Sequence, residues 1–104
     1  MSRTVFFLPL VLTAGAVAQD APAPKFEPQT IDDAIQIGYG LAVADINGDE
    51  KPDLVLADKT DIVWYESPTW KKHVMASRLT LLDNECVAAR DIGGDGKAEV
   101  AVGA

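Results

Sequence analysis

The sequence is poor in the side chains that most often carry covalent and acid–base chemistry. Its 104 residues include one cysteine and one histidine. A single cysteine excludes a disulfide framework within the chain and the paired cysteines of a structural zinc site. No Ser-His-Asp or Cys-His set and no phosphate-binding glycine loop can be assembled either. The sequence therefore offers no catalytic constellation, and whether the protein is an enzyme stays open.

Positive charge is also scarce. Lysine and arginine number 9 against 16 aspartates and glutamates, which gives a net charge of −7. Residues 19–104 lack Arg3 but keep all the acids, so their net charge is −8. Such a charge opposes binding to phosphate backbones and anionic membranes, and it favours cations. We expect no nucleic-acid partner.

Long apolar runs are absent after the N-terminus. The one long run, residues 5–17, follows Arg3. At its end, Ala16-Val-Ala18 forms a small-x-small sequence. A positive start, an apolar centre and a small-x-small end are typical of a secretory signal peptide. A membrane anchor would need about 20 apolar residues, and this run is shorter. We predict a signal peptide over residues 1–18 with cleavage after Ala18, a secreted or periplasmic location, and no membrane span after cleavage.

What the sequence does contain is an acidic nonapeptide, Asp45-Ile-Asn-Gly-Asp-Glu-Lys-Pro-Asp53, between two short apolar runs. Oxygen-bearing side chains occupy its positions 1, 3, 5 and 9, and position 7 can offer a backbone carbonyl. Hard oxygen donors at alternate residues, gathered by a tight turn, suit Ca²⁺. The predicted metal ligands of this first loop are Asp45, Asn47, Asp49, Lys51 and Asp53. An acidic turn joining two strands is the alternative, because Asp, Asn and Gly are common turn residues.

The same pattern recurs 46 residues later, in Asp91-Ile-Gly-Gly-Asp-Gly-Lys-Ala-Glu99. The predicted ligands of this second loop are Asp91, Asp95, Glu99 and the carbonyl of Lys97. Gly93 replaces the ligand at position 3, so we expect this loop to bind metal more loosely or not at all. Repeats of 20–50 residues indicate a repeat architecture, and about 40–45 residues suits a four-stranded propeller blade.

An EF-hand is the competing interpretation of the first loop. That motif requires Gly at position 6 and Glu at position 12, between two helices. The first loop has Glu50 and Leu56 there, and its flanks are short apolar runs without helical periodicity. The sequence favours strands, and a helix-flanked, dockerin-like loop is the alternative.

Short apolar runs between turn residues predict an all-β chain from Leu41 onward. The predicted strands are residues 41–44, 54–57, 62–65, 70–75, 86–90 and 99–102, with a crossover at 78–84 that could include a short strand at 79–82. Four strands at this spacing form one antiparallel sheet, a blade. Residues 31–39 mix helical and strand periodicities, and we favour an extended lead-in there.

The predicted organisation is a signal peptide over 1–18, a Pro-rich linker and lead-in over 19–37, a first blade over 38–84 and the start of a second blade over 85–104. The predicted fold class is all-β, with about one and a half antiparallel four-stranded blades of a β-propeller. Such repeats bury their faces against neighbours, and about three are needed for stability. We expect a fragment of a longer propeller that needs further blades or self-association for stability.

Through these two nonapeptides the chain resembles the FG-GAP/VCBS repeat family, whose members build integrin-α-like β-propellers. The resemblance implies Ca²⁺ binding in a D-x-[DN]-x-D-G-x-x-D type loop between the first two strands of a blade. The first loop matches at every ligand position, and the second departs at Gly93. Residues 62–74 also look like the later strands of bacterial secreted members, so the resemblance covers about residues 38–104.

Three functions fit these observations. The first is a Ca²⁺-stabilised binding or adhesion module whose surface recognises a protein or a carbohydrate. The second is a fragment of a sugar- or polysaccharide-directed lyase or hydrolase whose catalytic residues lie elsewhere, and the third is a truncation product without function. We expect His73 at the surface, Cys86 packed as a small apolar residue, and Trp64 and Trp70 packed within the blade, with sugar stacking as the alternative for the tryptophans.

Overall fold

The computed structural model of the protein describes residues 2, 15–16 and 20–104. The predicted signal peptide, residues 1–18, lies outside the described residues except at three positions, and it stays a prediction. The regular structure of the described part consists of strands β1 Gly40–Ala44, β2 Asp53–Ala57, β3 Asp61–Glu66, β4 Lys71–Ser77, β5 Cys86–Arg90 and β6 Glu99–Gly103. Residues 20–104 contain no helix, so the described part of the chain has no helix that is long and apolar enough to cross a membrane. The all-β prediction is confirmed, and the EF-hand alternative is wrong.

The first four strands form one antiparallel sheet in chain order, β1-β2-β3-β4. Leu41 pairs with Leu56 across β1 and β2, while Leu54 pairs with Tyr65 across β2 and β3. Successive side chains of a strand point to opposite faces, so these four share one face of the sheet. This sheet is the predicted four-stranded blade. Strands β5 and β6 pair with each other in a separate two-stranded sheet.

The hydrophobic core lies on the two central strands. The buried apolar residues are Val55, Leu56, Ala57, Ile62, Val63 and Tyr65, all of β2 and β3. Both faces of these strands are covered, which explains why their sequences read as nearly continuous apolar runs rather than as alternating ones. The outer strands β1 and β4 keep large apolar side chains exposed.

The β5–β6 sheet stacks on the first sheet through a close approach of two backbones. A Cβ placed on Gly40 would lie 2.9 Å from the amide nitrogen of Val87 and 3.1 Å from backbone atoms of Cys86. Real Cβ atoms are not found so close to backbone, so glycine is required at this position. The Ala98 N–H also donates to the carbonyl of Asp45 at 2.9 Å, which links the two sheets at their loop ends.

Residues 31–38, a segment without regular secondary structure that we call the strap, lie along the opposite face of the first sheet. Ile31 packs against the buried cluster of Leu56, Val63 and Tyr65. The structure shows neither a helix nor a strand here, and it has bends at residues 31, 33 and 36 rather than the continuous extended lead-in that we favoured. It also shows that this segment packs on the blade, which the sequence did not indicate.

The connection between the two sheets differs from its prediction. Residues 79–82 form no strand, and their leucines are exposed. The Thr80 hydroxyl donates to the carbonyl of Leu82 at 2.8 Å, and such local hydrogen bonds compete with strand pairing. The buried Asn84 then anchors the connection by donating to the carbonyl of Asp58 at 2.9 Å. The expectation for Cys86 is also wrong: it is exposed, because it points away from the first sheet.

Candidate metal centre

The first nonapeptide is the loop that joins β1 to β2. Asp45 directly follows β1 and Asp53 opens β2, so the antiparallel pairing brings the two ends of the loop together. Carboxylate oxygens of Asp45, Asp49 and Asp53 lie within 4.8 Å of one another. Asp53 is fully buried and Asp49 is exposed, so the cluster runs from the interior of the blade to its surface. Three carboxylates this close repel one another unless a cation lies between them.

The carboxylate at position 1 organises the turn of this loop. Asp45 accepts the N–H of Gly48 at 2.7 Å on one oxygen and the N–H of Glu50 at 2.8 Å on the other. Left-handed backbone at both donors, with φ of 81° and 63°, makes this geometry possible. The turn predicted at Asn47-Gly48 is therefore present, and its amides hold Asp45 in place.

The carboxylate at position 9 joins the loop to the far end of β3. One oxygen of Asp53 accepts the N–H of Ile46 at 3.0 Å, and the other accepts the N–H of Ser67 at 2.9 Å. These two N–H groups compensate for the loss of water around the buried carboxylate, because a buried carboxylate is stable only when its oxygens accept hydrogen bonds. Asp53 is consequently a fixed point of the cluster.

Of the remaining predicted ligands of the first loop, Asn47 is half-buried, while Asp49 and Lys51 are exposed. The Asn47 side-chain oxygen accepts the N–H of Asp49 at 3.1 Å, and its amide nitrogen donates to Glu66 at 3.1 Å. Asp49 accepts the N–H of Lys51 at 3.0 Å. The loop thus has the alternating oxygen positions that the sequence predicted. Metal ligation by Asp45, Asn47, Asp49, Asp53 and the carbonyl of Lys51 stays a prediction.

The second nonapeptide joins β5 to β6 and repeats the geometry of the first. Oxygens of Asp91, Asp95 and Glu99 lie within 4.8 Å of one another. Asp91 accepts the N–H groups of Gly94 at 2.6 Å and Gly96 at 2.8 Å, the same two loop positions that Asp45 engages. The two loops are equivalent corners of neighbouring sheets.

Further bonds extend this equivalence to the other predicted ligands. Asp95 accepts the N–H of Lys97 at 3.0 Å, as Asp49 does with the residue two positions on. Glu99 accepts the N–H of Ile92 at 2.7 Å, which corresponds to the bond from Ile46 to the acid at position 9. All three acids of the second loop are exposed, whereas the first loop buries one. Gly93 adds no oxygen, so the first loop has the more complete donor set.

Both donor sets consist of carboxylate and amide oxygens without nitrogen or sulfur ligands. Such oxygen-only sets suit Ca²⁺, Mg²⁺ or Mn²⁺ rather than zinc or copper. Loops with mixed carboxylate, amide and carbonyl donors fit the larger coordination number of Ca²⁺ better than the strict octahedron of Mg²⁺. The residues present therefore fit a calcium ion.

A polar and aromatic group beside the first loop was not predicted. The side chain of Glu66, which binds Asn47, also lies 2.8 Å from Nε2 of His73. The His73 ring stacks on Trp64, with ring centroids 4.4 Å apart. His73 is thus half-buried rather than a free surface residue, and Trp64 packs within the sheet. The pairing of Trp64 with His73 across β3 and β4 is the signal that could have revealed the group.

Two carboxylates attach the strap to the sheet, Asp32 within the strap and Asp58 directly after β2, and both have a pKa below the ordinary value. Asp32 accepts hydrogen bonds from Nζ of Lys72 at 2.8 Å and from the hydroxyl of Tyr65 at 2.6 Å, and these bonds hold its pKa well below the ordinary value. Burial of the Tyr65 hydroxyl raises its pKa, and the hydrogen bond that it donates to the Asp32 carboxylate raises it further.

Asp58 secures the other end of the strap. It accepts the N–H groups of Gln36, Ile37 and Gly38, at 2.7 Å for the shortest. Burial alone would raise the pKa of Asp58, but these donors outweigh it and lower the pKa. Residues 20 or more positions apart make these contacts, so no local sequence pattern could have predicted them.

Comparison with known proteins identifies a family for this arrangement. The profile described as FG-GAP-like repeat matches residues 45–102, more than half of the chain. The matched span begins at the first residue of the first loop and ends in β6, so it includes both loops. No curated protein and no solved structure matches the chain.

Proposed function

Because this chain belongs to the FG-GAP-like repeat family, we propose that it is a calcium-binding, propeller-like repeat module of an exported protein. In this proposal the metal is structural, and the surface of the repeat binds a protein or a carbohydrate. The observation that carries the proposal is the convergence of the Asp45, Asp49 and Asp53 carboxylates within 4.8 Å, in a loop between two strands.

The first loop is the better candidate for a high-occupancy site. Asp53 is buried and held by two backbone amides, so part of the donor set is in place before an ion arrives. A preorganised ligand loses less conformational entropy on binding. Asp45, Asn47, Asp49, Asp53 and the carbonyl of Lys51 would hold the ion. When bound, the ion supplies the positive charge that cancels the repulsion between the carboxylates.

The second loop is the candidate for a weaker site. Asp91, Asp95, Glu99 and the carbonyl of Lys97 would hold an ion there. Its acids are all exposed and position 3 carries no side chain, so solvent competes more strongly for the ion.

Export supports a stabilising role for calcium. The N-terminal sequence has the form of a signal peptide, and extracytoplasmic Ca²⁺ modules work at dissociation constants of about 10⁻⁴–10⁻³ M. At about 1 mM Ca²⁺ and a dissociation constant of about 10⁻⁴ M, one site stabilises the folded state by about 1.4 kcal/mol. That is a substantial fraction of the stability of a small domain.

The test is the melting temperature with and without Ca²⁺. We expect Ca²⁺ to raise the melting temperature of the natural sequence, and the double substitution Asp45→Ala with Asp49→Ala to abolish most of that rise. Asp91→Ala with Asp95→Ala should remove a smaller part.

The matched control is Asp20→Ala with Asp83→Ala, which removes the same charge from exposed positions outside both loops. These substitutions should leave the calcium-dependent rise intact. If the variant of the first loop keeps the full rise, that loop is not the site and the proposal is wrong.

A further inference from the structure

The end of β3 supports the first acidic loop from outside at two points. The N–H of Ser67, directly after β3, donates to the buried carboxylate of Asp53 at 2.9 Å. Glu66, the last residue of β3, accepts a hydrogen bond from Nδ2 of Asn47 at 3.1 Å. Asn47 is the one predicted side-chain ligand of this loop that is an amide rather than an acid. Two of the predicted ligands therefore depend on the same strand end for their position.

An amide ligand has an orientation problem that a carboxylate does not have. The amide oxygen can bind a cation, whereas the amide nitrogen carries two hydrogens and only donates. In the structure, Oδ1 of Asn47 accepts the N–H of Asp49 at 3.1 Å, so the oxygen faces the loop. The bond from Nδ2 to Glu66 favours the same orientation, because exchanging the two atoms would place an oxygen of Asn47 against the carboxylate.

Glu66 is itself held in place by an aromatic pair. Its second carboxylate oxygen lies 2.8 Å from Nε2 of His73. The His73 ring stacks on Trp64, with ring centroids 4.4 Å apart and an interplanar angle of 14°, and the two residues lie opposite each other in the pairing of β3 with β4. The stacking fixes the plane of the imidazole and with it the direction of Nε2. A continuous series of contacts thus runs from Trp64 through His73 and Glu66 to Asn47, and all four residues are half-buried.

We propose that Glu66 is a positioning residue for the first loop: it orients the amide of Asn47 so that the oxygen faces the cation, and His73 stacked on Trp64 holds Glu66 in place. This inference rests on the calcium site proposed above. Contacts behind the ligands of a metal set the orientation of those ligands, and the loss of one typically weakens metal binding by about 10–100-fold. The first loop therefore draws part of its affinity from residues on β3 and β4 that do not touch the ion.

The experiment is a calorimetric calcium titration of the full chain carrying Asp91→Ala and Asp95→Ala, so that the heat of binding reports the first loop. In this parent, we expect Glu66→Ala to raise the dissociation constant by about tenfold. Glu66→Gln removes the same charge but keeps an oxygen that accepts from Asn47, so it should bind nearly as tightly as the parent. The control for a distant charge is Glu27→Ala, in the exposed linker, which should leave binding unchanged.

A second substitution separates orientation of the amide from general support of the loop. Asn47→Asp replaces the amide by a carboxylate, which offers an oxygen in either orientation. In that background, Glu66→Ala should no longer weaken calcium binding, because no amide remains to be oriented and the removed charge had repelled the new one. If Glu66 only supported the fold of the loop, its removal would weaken binding in both backgrounds.

A measurement without calcium tests the contact itself. Nuclear magnetic resonance reports how fast the Nδ2 hydrogens of Asn47 exchange with water. We expect Glu66→Ala to accelerate this exchange, because the hydrogen bond to the carboxylate is lost. Glu66→Gln should keep the exchange slow. His73→Ala should accelerate it by less than Glu66→Ala does, because the carboxylate remains but loses the ring that holds it.

Two results would overturn the inference. They are unchanged calcium binding by Glu66→Ala in a chain that loses binding on Asp45→Ala, and equal weakening by Glu66→Ala with Asn47 or with Asp at that position. Calcium binding that survives Asp45→Ala with Asp49→Ala would instead overturn the calcium site, and the exchange of the Asn47 hydrogens then decides alone whether Glu66 holds this amide. If Glu66→Ala does not fold, Glu66→Thr takes its place, because threonine suits a strand and lacks the carboxylate.

Discussion

Position 6 of each acidic loop has left-handed backbone, yet the two loops place different residues there. Glu50 has φ of 63°, and Gly96 at the equivalent position has φ of 86°. A residue with a side chain pays a steric cost of about 1 kcal/mol in this region, which glycine avoids. The first loop thus has the more complete donor set but a strained residue at position 6. The second loop has the less complete donor set and an unstrained glycine there.

Replacing the strained residue should stabilise the protein. We expect Glu50→Gly to raise the free energy of unfolding without Ca²⁺ by up to about 1 kcal/mol, measured by urea denaturation. The control Glu50→Ala removes the same charge but keeps a Cβ, so it separates charge from backbone strain. Equal stabilisation by both variants would show that the gain is electrostatic.

At the scale of single residues, the sequence predicted which acidic side chains come together in the first loop, and metal ligation by them stays a prediction. Asp45, Asp49 and Asp53 converge because the pairing of β1 with β2 joins the ends of the loop and backbone amides position the carboxylates of Asp45 and Asp53. The exposure of Cys86 was not predictable. The alternation of side chains along a strand shows that neighbours point to opposite faces, but it does not show which face packs on the next sheet. That depends on the position of Gly40 in a different strand.

At the scale of elements, the strap is held by charges that titrate at low pH. Asp32 and Asp58 both have a pKa below the ordinary value of 3.8. A group whose pKa is lowered by folding contributes stability above its unfolded pKa, and this contribution is lost as the pH falls through the folded value. The strap should therefore be fully attached above about pH 5 and detach as the pH falls below about 4.

Hydrogen exchange of the strap amides checks this prediction. The N–H groups of Gln36, Ile37 and Gly38 bind Asp58 and should lose protection on acidification before the amides of β2 and β3 do. Asp58→Asn should weaken their protection at neutral pH as well. Strap amides that stay protected until the whole sheet unfolds would contradict the prediction.

The elements themselves followed from sequence wherever a short apolar run was bounded by turn residues. All six strands lie within two residues of their predicted bounds, because Asp, Gly and Pro interrupt pairing where they were expected to. The leucines of residues 79–82 have strand-like composition but no neighbouring strand to pair with. The strap was ambiguous because its contacts are with residues far away in the sequence, and a local pattern cannot report those.

At the scale of the whole molecule, the arrangement of the two sheets depends on Gly40. We expect Gly40→Ala to lower the free energy of unfolding by about 1–3 kcal/mol, because the added Cβ would collide with the backbone of Cys86 and Val87. Chemical denaturation measures the loss. The control is Gly93→Ala, whose Cβ would meet only the end of the flexible Glu99 side chain at 3.3 Å, and it should change stability little.

A backbone hydrogen bond between the two acidic loops couples the conformational freedom of one loop to that of the other. The Ala98 amide belongs to the second loop, and the Asp45 carbonyl that it binds belongs to the first. An ion that immobilises one loop therefore reduces the entropy that the other must lose when its own ion binds. If calcium binds both loops as proposed, we expect their occupancies to be linked, so that the two ions bind with positive cooperativity rather than at independent sites.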